Sequence, residues 1–239
     1  EVTYQLINVR LNVPKGVFEY RRLPQFPGFD YYEIAFPARI PGVGYNVYSC
    51  EVYNNEMPHY AYTFTKFYPP VRCLGSMQVD TNEWENDYLK VKFESNGTLT
   101  VLNKKTGKKY RDLLIFEDCA DVGDGWNYRK PVKDEKYLST TGKFDFAVES
   151  DGPLAVKWKL THYLELPVEI DSQTGTRKVQ KREFAITTTI EMLKDSPRVV
   201  FHTQIKNNVY EHRVRVLFPT ELETDIFYSS TPYFLQERP

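Results

Sequence analysis

The chain has 239 residues and a formal net charge of −1, with 31 basic against 32 acidic side chains, a balance that leaves no electrostatic footprint for nucleic acid or an anionic membrane. Its 18 tyrosines and 15 phenylalanines favour strands, while 15 prolines and scattered glycines interrupt it too often for long helices. Composition therefore predicts an all-β protein, and the length suits one large β domain or two smaller ones.

In chain order, VTYQLINVRLNV (Val2 to Val13) alternates as a strand, and Pro14-Lys15-Gly16 turns it. DYYEIAFPARI (Asp30 to Ile40) and YNVYSCEVY (Tyr45 to Tyr53) form a second pair of extended runs around Pro41-Gly42-Val43-Gly44. Pro37 and Pro41 suit an edge strand or a strand end. This first part reads as a small β unit. Residues 54–82 carry Pro69-Pro70 and no sustained period, which marks a connector. The expected division is a small β domain with its connector over residues 1–79 and a larger one over 80–239.

The larger unit opens on ENDYLKVKFESNGTLTVLNKKTGKKY, a predicted meander. Tyr88, Val91 and Phe93 stand against Leu99, Val101 and Tyr110, with turns at Asn96-Gly97 and Thr106-Gly107. Asn96-Gly97-Thr98 also matches a glycosylation sequon, and a hairpin turn explains it better. Further on, KFDFAVES, LAVKWKLTHYLELPVEI, KREFAITTTIEML, RVVFHTQIKNN and HRVRVLFPTEL follow one another with turn signals between them. Repeated strands of this kind predict a sandwich, and their length predicts a large, strongly twisted sheet. The closing YFLQERP reads as a strand entering a further element.

Between meander and sandwich lies Phe116 to Tyr128, FEDCADVGDGWNY, expected to be a loop. It gathers Glu117, Asp118, Asp121 and Asp124 with Gly123, Gly125, Trp126 and Tyr128. Glycines allow tight turns, carboxylates accept hydrogen bonds from hydroxyls, and an aromatic face suits the C–H face of a sugar ring. By residue type this is a polyol-binding loop; the bland alternative is an acidic surface loop whose aromatics tuck into the core.

No complete catalytic set is visible. His59, His162, His202 and His212 are scattered, outside any nucleophile-elbow context, and read as structural. HxH, HxxxH and DxDxDG spacings are absent, so no metal site is predicted for this chain. Two loop carboxylates would suffice for glycoside hydrolysis only at a defined separation, and carboxylates crowded on one loop more often bind. Arg213 and Arg215 alternate onto one strand face and need partners, either acidic neighbours on the next strand or the acidic loop. Apolar runs fall short of a membrane span, and EVTYQLINVR lacks a secretion-signal layout. Cys50, Cys73 and Cys119 suggest neither a disulfide framework nor a zinc ribbon, so a soluble chain in a reducing, cytoplasmic setting is expected.

ENDYLKVKFESNGTLTVLNKKTGKKY, FEDCADVGDGWNY, FAITTTIEMLKDSPRVVFHTQIKNN, HRVRVLFPTELETD and the closing ERP, with IPGVGYNVY before them, together resemble the C-terminal β region of glycoside hydrolase family 38, the α-mannosidases. The likeness is to bacterial, cytoplasmic-type members. It implies a small β-sandwich-like unit followed by a large antiparallel β-supersandwich, galactose-mutarotase-like, that stops before its C-terminal end. It also implies a preceding α/β catalytic domain of the same polypeptide, which supplies the aspartate nucleophile and the zinc ligands of a retaining mechanism.

This chain would then hold no catalytic residue, metal or cofactor and be inactive alone. It would brace that domain and line one side of a pocket for an α-mannoside or mannose-containing oligosaccharide, in a polypeptide that could assemble as a homo-oligomer. Substrate contacts implied by the resemblance are Asp124, Trp126, Tyr128 and Arg238. Tyrosine is more common where Trp126 stands; tryptophan keeps the stacking face but exchanges a phenol O–H for an indole N–H that only donates. Two other readings remain open: a stand-alone carbohydrate-binding module, and a structural β domain without a ligand.

Overall fold

The computed structural model describes residues 2, 4–13, 29–50 and 75–238. These form an all-β protein of antiparallel sheets, with one short 3-10 turn at Ser139–Thr141.

Strand β1 (Gln5–Val13) pairs with β2 (Phe29–Ala35). The partner of the second predicted run is thus the first strand. Tyr45–Cys50 is not a strand, and the rest of that run lies outside the described residues, as do most of the predicted connector and Cys73. Strand β2 ends two residues before Pro37, consistent with the missing proline N–H. Beyond it the chain folds on itself through Phe36 and Tyr48, whose rings meet edge-on at 5.1 Å.

The predicted meander forms β3 (Gln78–Asp80), β4 (Glu83–Glu85), β5 (Leu89–Phe93), β6 (Leu99–Asn103) and β7 (Lys109–Leu113), a five-stranded sheet in sequence order. Its register sets Val91 opposite Val101 and Phe93 opposite Leu99, with Tyr110 opposite Val101 on the next strand. Gly97 and Gly107 make the turns at φ +79° and +70°, where a side chain is disfavoured. Asn96 Oδ1 accepts the N–H of Thr98 at 3.1 Å, so the sequon residues are spent on the turn.

A second sheet holds β10 (Lys143–Asp151), β11 (Ala155–Pro167), β12 (Lys181–Leu193) and β13 (Val199–Ile205), again in sequence order. Strands β11 and β12 are 13 residues long and pair without a register shift. Phe184, Ile186, Thr188, Ile190 and Met192 alternate inward along β12 and fix that register, because a one-residue slip would turn all five to water. The two sheets face each other across an aromatic cluster. Trp84 meets Trp158 at 5.3 Å, and Phe93 lies 5.2 Å from Trp158 and 4.4 Å from Phe146. Each such pair is worth about 0.5–1.5 kcal/mol beyond the area it buries.

A third sheet, in the order β14 (His212–Leu217), β8 (Ile115–Ala120), β9 (Tyr137–Leu138), sits beside β11. Ser139 Oγ accepts the N–H of Phe116 at 3.0 Å, and the Phe116 ring meets His162 at 5.5 Å. The chain ends in the hairpin β15 (Phe227–Thr231) and β16 (Phe234–Arg238).

Candidate functional site

The site grows from the end of the β8–β14 ladder. The acidic stretch begins as a strand rather than a loop: Phe116–Ala120 belong to β8 and are all buried. Burial forces their charges into pairs, and strand alternation sends neighbouring carboxylates to opposite faces. On one face Glu117 accepts from Arg215, directly opposite it on β14, and from Lys136 Nζ at 3.0 Å. The Arg215 hydrogen bond, aided by Lys136, holds the Glu117 carboxyl below the usual carboxylate range. Arg213, on the same face, lies 4.5 Å over the Tyr128 ring. The two arginines therefore divide between an acidic strand neighbour and the loop.

On the other face Asp118 has a side chain only 1% exposed, with His212 Nδ1 2.5 Å from Oδ2 and Arg177 Nη2 2.6 Å from Oδ1. The Arg177 guanidinium covers the Tyr137 ring at 5.1 Å. This buried cluster was hard to foresee: His212 opens the HRVRVL strand, but Asp118 is 94 residues away in sequence. The visible signal was the strand alternation, which separates His212 from Arg213 and Arg215.

Only Asp121 and Asp124 of the four acidic residues remain in the loop. Asp121 Oδ1 accepts the N–H groups of Gly123 at 2.9 Å and Arg129 at 3.0 Å, closing the loop at its root. Asp124 Oδ1 accepts the N–H groups of Trp126 and Asn127, both at 2.8 Å. These backbone donors, Trp126 first, lower the Asp124 carboxyl below its ordinary value. Gly123 is required by the close approach of the loop's two arms: a Cβ there would lie 1.8 Å from the Asn127 carbonyl oxygen.

This frame holds Trp126 out in solvent, 94% exposed, so its ring does not tuck into the core. Tyr128 is half as exposed and packs back on the ladder, under Arg213 and with its hydroxyl 3.9 Å from Cys119 Sγ. Arg238 is not on this loop. It lies in β16, where Nε donates to Ser229 Oγ at 2.8 Å and Nη2 to Gln236 Oε1 at 3.2 Å.

Beside the loop runs a shallow groove of about 270 Å³, with Asp121, Gly123 and Asp124 on one side and Asn207, Tyr210 and His212 on the other. Its polar walls and the exposed indole suit a ligand with both hydroxyls and an apolar face. The donor set does not suit a metal: Glu117 and Asp118 already have cationic partners, and among the described residues no three His, Cys, Asp or Glu side chains are grouped to hold an ion. His162 is likewise structural, buried with Nε2 2.9 Å from the Gly97 carbonyl oxygen, and burial lowers its pKa.

Residues 84–239 match the sequence profile of the glycosyl hydrolases family 38 C-terminal domain. A Halalkalibacterium halodurans protein named "Putative mannosylglycerate hydrolase" is 23% identical over 172 residues, covering 66% of this chain and 19% of its own. The crystal structure of an alpha-mannosidase from Enterococcus faecalis V583 superposes with a TM-score of 0.65 at 32% identity, over 68% of this chain and 20% of that one. A second crystal structure, of a protein in glycosyl hydrolase family 38 from Enterococcus faecalis, gives a TM-score of 0.73 at 25% identity. It covers 100% of this chain and 28% of that one. This chain therefore spans between 19% and 28% of the length of these relatives.

Proposed function

Because the chain belongs to glycosyl hydrolase family 38, as its C-terminal domain, we propose that it is the non-catalytic β region of a retaining α-mannosidase. It braces a zinc-dependent catalytic domain of the same polypeptide and lines one side of the mannoside pocket. The nucleophile and the zinc belong to that other domain. The observation that carries this reading is Trp126, fully presented to solvent on a loop whose backbone is tied down by Asp121 and Asp124. A large apolar ring is costly to leave in water, and a frame of buried and backbone hydrogen bonds to hold it there fits a ligand that covers it.

Within the pocket, the Trp126 face would stack on the C–H face of the sugar, and Asp124 Oδ2 would accept a sugar O–H. Tyr128 backs the loop from below through Arg213. Arg238 would reach the pocket from the terminal hairpin. The relatives' names, an alpha-mannosidase and a mannosylglycerate hydrolase, support a mannoside with a short aglycone. We further place the boundary between the small unit and the sandwich near residue 80, which the profile match beginning at residue 84 supports. A cytoplasmic location is part of this proposal, on the ground that the spacing of Cys50, Cys73 and Cys119 suggests no disulfide framework.

The test is hydrolysis of a chromogenic α-mannoside by this chain and by the full-length polypeptide, each with and without added zinc. Activity confined to the full-length protein, and weakened by Trp126→Ala through KM, is the expected result. Turnover by the 239 residues alone would overturn the division of labour. Mannoside binding by the isolated chain at the affinity of the full-length protein would mean a self-sufficient binding module instead.

A further inference from the structure

We propose that His212, which borders the groove but has both ring nitrogens taken by Asp118 and Asn207, is the positioning residue for the Trp126 loop and acts on mannoside affinity through that loop. The inference rests on the reading that this loop faces the substrate.

His212 opens β14 opposite Ala120, the last residue of β8 before the loop begins. Its side chain is only 5% exposed, and both ring nitrogens are engaged: Nδ1 lies 2.5 Å from Asp118 Oδ2 and Nε2 3.1 Å from Asn207 Oδ1. The Asn207 amide is oriented independently, since the same Oδ1 accepts the Val209 N–H at 3.2 Å. Asp118 is fixed in turn by Arg177 on the β11–β12 connection. The ring also meets Phe184 of β12 edge-on at 5.4 Å. His212 is thus tied to β8, to the connector before β14, and to the sandwich.

The residue before it transmits this fixity. Glu211 has φ +52°, the left-handed region that a non-glycine residue occupies only when its surroundings hold it there. In that conformation the Glu211 carbonyl accepts the Asp121 N–H at 2.9 Å, while its Oε2 accepts the Ile170 N–H at 2.8 Å. Asp121 then closes the loop by accepting from Gly123 and Arg129. The path from ring to loop therefore runs through one strained peptide, and releasing the ring frees that peptide to relax. A loop no longer held at its root would still carry Trp126 and Asp124, but would have to be ordered by the substrate. Such a change weakens ground-state and transition-state binding alike, and so raises KM with kcat little changed.

The experiment uses the full-length polypeptide labelled with 5-fluorotryptophan, with the Trp126 19F resonance assigned by its loss in Trp126→Phe, and methyl α-mannoside as the probe. His212→Phe keeps a ring against Phe184 but removes both nitrogens. It is expected to raise KM for an aryl α-mannoside about five-fold or more with kcat within about two-fold, and to shift or broaden the Trp126 resonance. His212→Asn, whose amide N–H replaces Nδ1 toward Asp118, is expected to recover most of both losses. Asn207→Ala changes an exposed residue and removes only the Nε2 contact and the Val209 bond, so a smaller shift of the same resonance is expected even where His212→Phe folds poorly. An unmoved Trp126 resonance in His212→Phe, or in Asn207→Ala where His212→Phe does not fold, would overturn the proposal. So would equal impairment in His212→Asn and His212→Phe. A Trp126→Ala variant with unchanged KM would sink the substrate-facing reading instead, and the resonance would still decide whether His212 positions the loop.

Discussion

The Asp124 carboxylate accepts the backbone N–H of Trp126 at 2.8 Å, so the side chain proposed to meet a sugar hydroxyl also holds the backbone that carries the aromatic ring beside it. Trp126 itself is 94% exposed. Removing the indole takes nothing from the core, and a surface substitution of this kind stays within about 0.5 kcal/mol of the parent stability. Trp126→Ala should therefore leave the thermal midpoint unchanged while raising KM for an α-mannoside, by roughly the 0.5–1.5 kcal/mol of a stacking contact. Trp126→Tyr keeps a stacking face and should restore most of the affinity. Steady-state kinetics beside a calorimetric melt separates the two effects.

The same carboxylate makes the loop acid-sensitive. Two backbone N–H groups depress the Asp124 carboxyl below its unfolded value, so its ionised form stabilises the folded loop. That contribution is complete above the ordinary aspartate value of about 3.9 and disappears as pH falls through the lower folded value. Asp124→Asn keeps an oxygen for those donors and has no proton to gain. Trp126 fluorescence or its 19F signal should show a transition below about pH 4 in the parent protein and none in Asp124→Asn; a transition common to both would assign it to another carboxylate.

Much of this architecture is legible in the sequence, and the part that is not has a physical cause. Val91 opposite Val101 and Phe93 opposite Leu99 follow from alternation plus an Asn-Gly turn, both local signals. Likewise the inward row from Phe184 to Met192 is written in KREFAITTTIEML. The beginning of the acidic stretch is different. FEDCA has the composition of a loop, yet it is the buried strand β8, because Glu117 is neutralised by Arg215 98 residues later, and Asp118 is paired with Arg177 and hydrogen-bonded to His212 94 residues later. No local rule foretells a charge whose partner is that distant. The same is true of YNVYSC, a good extended run whose expected role as a strand is taken by β1, which pairs with β2 in its place. At the loop itself, Asp121, Gly123, Asp124 and Trp126 lie within six residues, so local chemistry singles out the loop, and its frame is equally local, built from backbone N–H groups donating to Asp121 and Asp124.

The Arg215–Glu117 pair should matter more than a surface ion pair. The Glu117 side chain is 7% exposed and the Arg215 side chain 40%. Arg215→Ala leaves a nearly buried carboxylate with Lys136 as its remaining ionic partner. Removing one partner of a buried pair is destabilising because it strands the other charge, and the exposure of Arg215 softens that loss through solvent screening. Because the folded Glu117 carboxyl is depressed, the stabilisation is present above the ordinary glutamate value of about 4.3 and is lost as pH falls below it. Denaturant melts at neutral pH and near pH 3 should therefore show Arg215→Ala destabilised at the first and much closer to the parent at the second. An equal loss at both would mean that Arg215 acts through its aliphatic packing.

Gln5 provides the corresponding test for the first strand pair. Its amide is 1% exposed and inserted into the turn between β10 and β11: Nε2 donates to the Ala155 carbonyl oxygen, and Oε1 accepts the N–H groups of Leu154 and Ala155, all at 2.8 Å. The fit depends on Gly152, where a Cβ would lie 2.3 Å from the Gln5 amide carbon. Gln5→Ala strands two donors and one acceptor in a space too closed for easy solvation, at about 1–3 kcal/mol for each buried group left unpaired. Water entering the vacated volume would reduce that total. The expected outcome is a loss of about 2–4 kcal/mol, together with faster amide exchange across β1 and β2 than across β11 and β12. Gln5→Glu offers no N–H for the Ala155 carbonyl and should be at least as damaging. If instead both variants melt like the parent and β1 exchanges no faster, the first strand pair is held to the sandwich by something other than this amide.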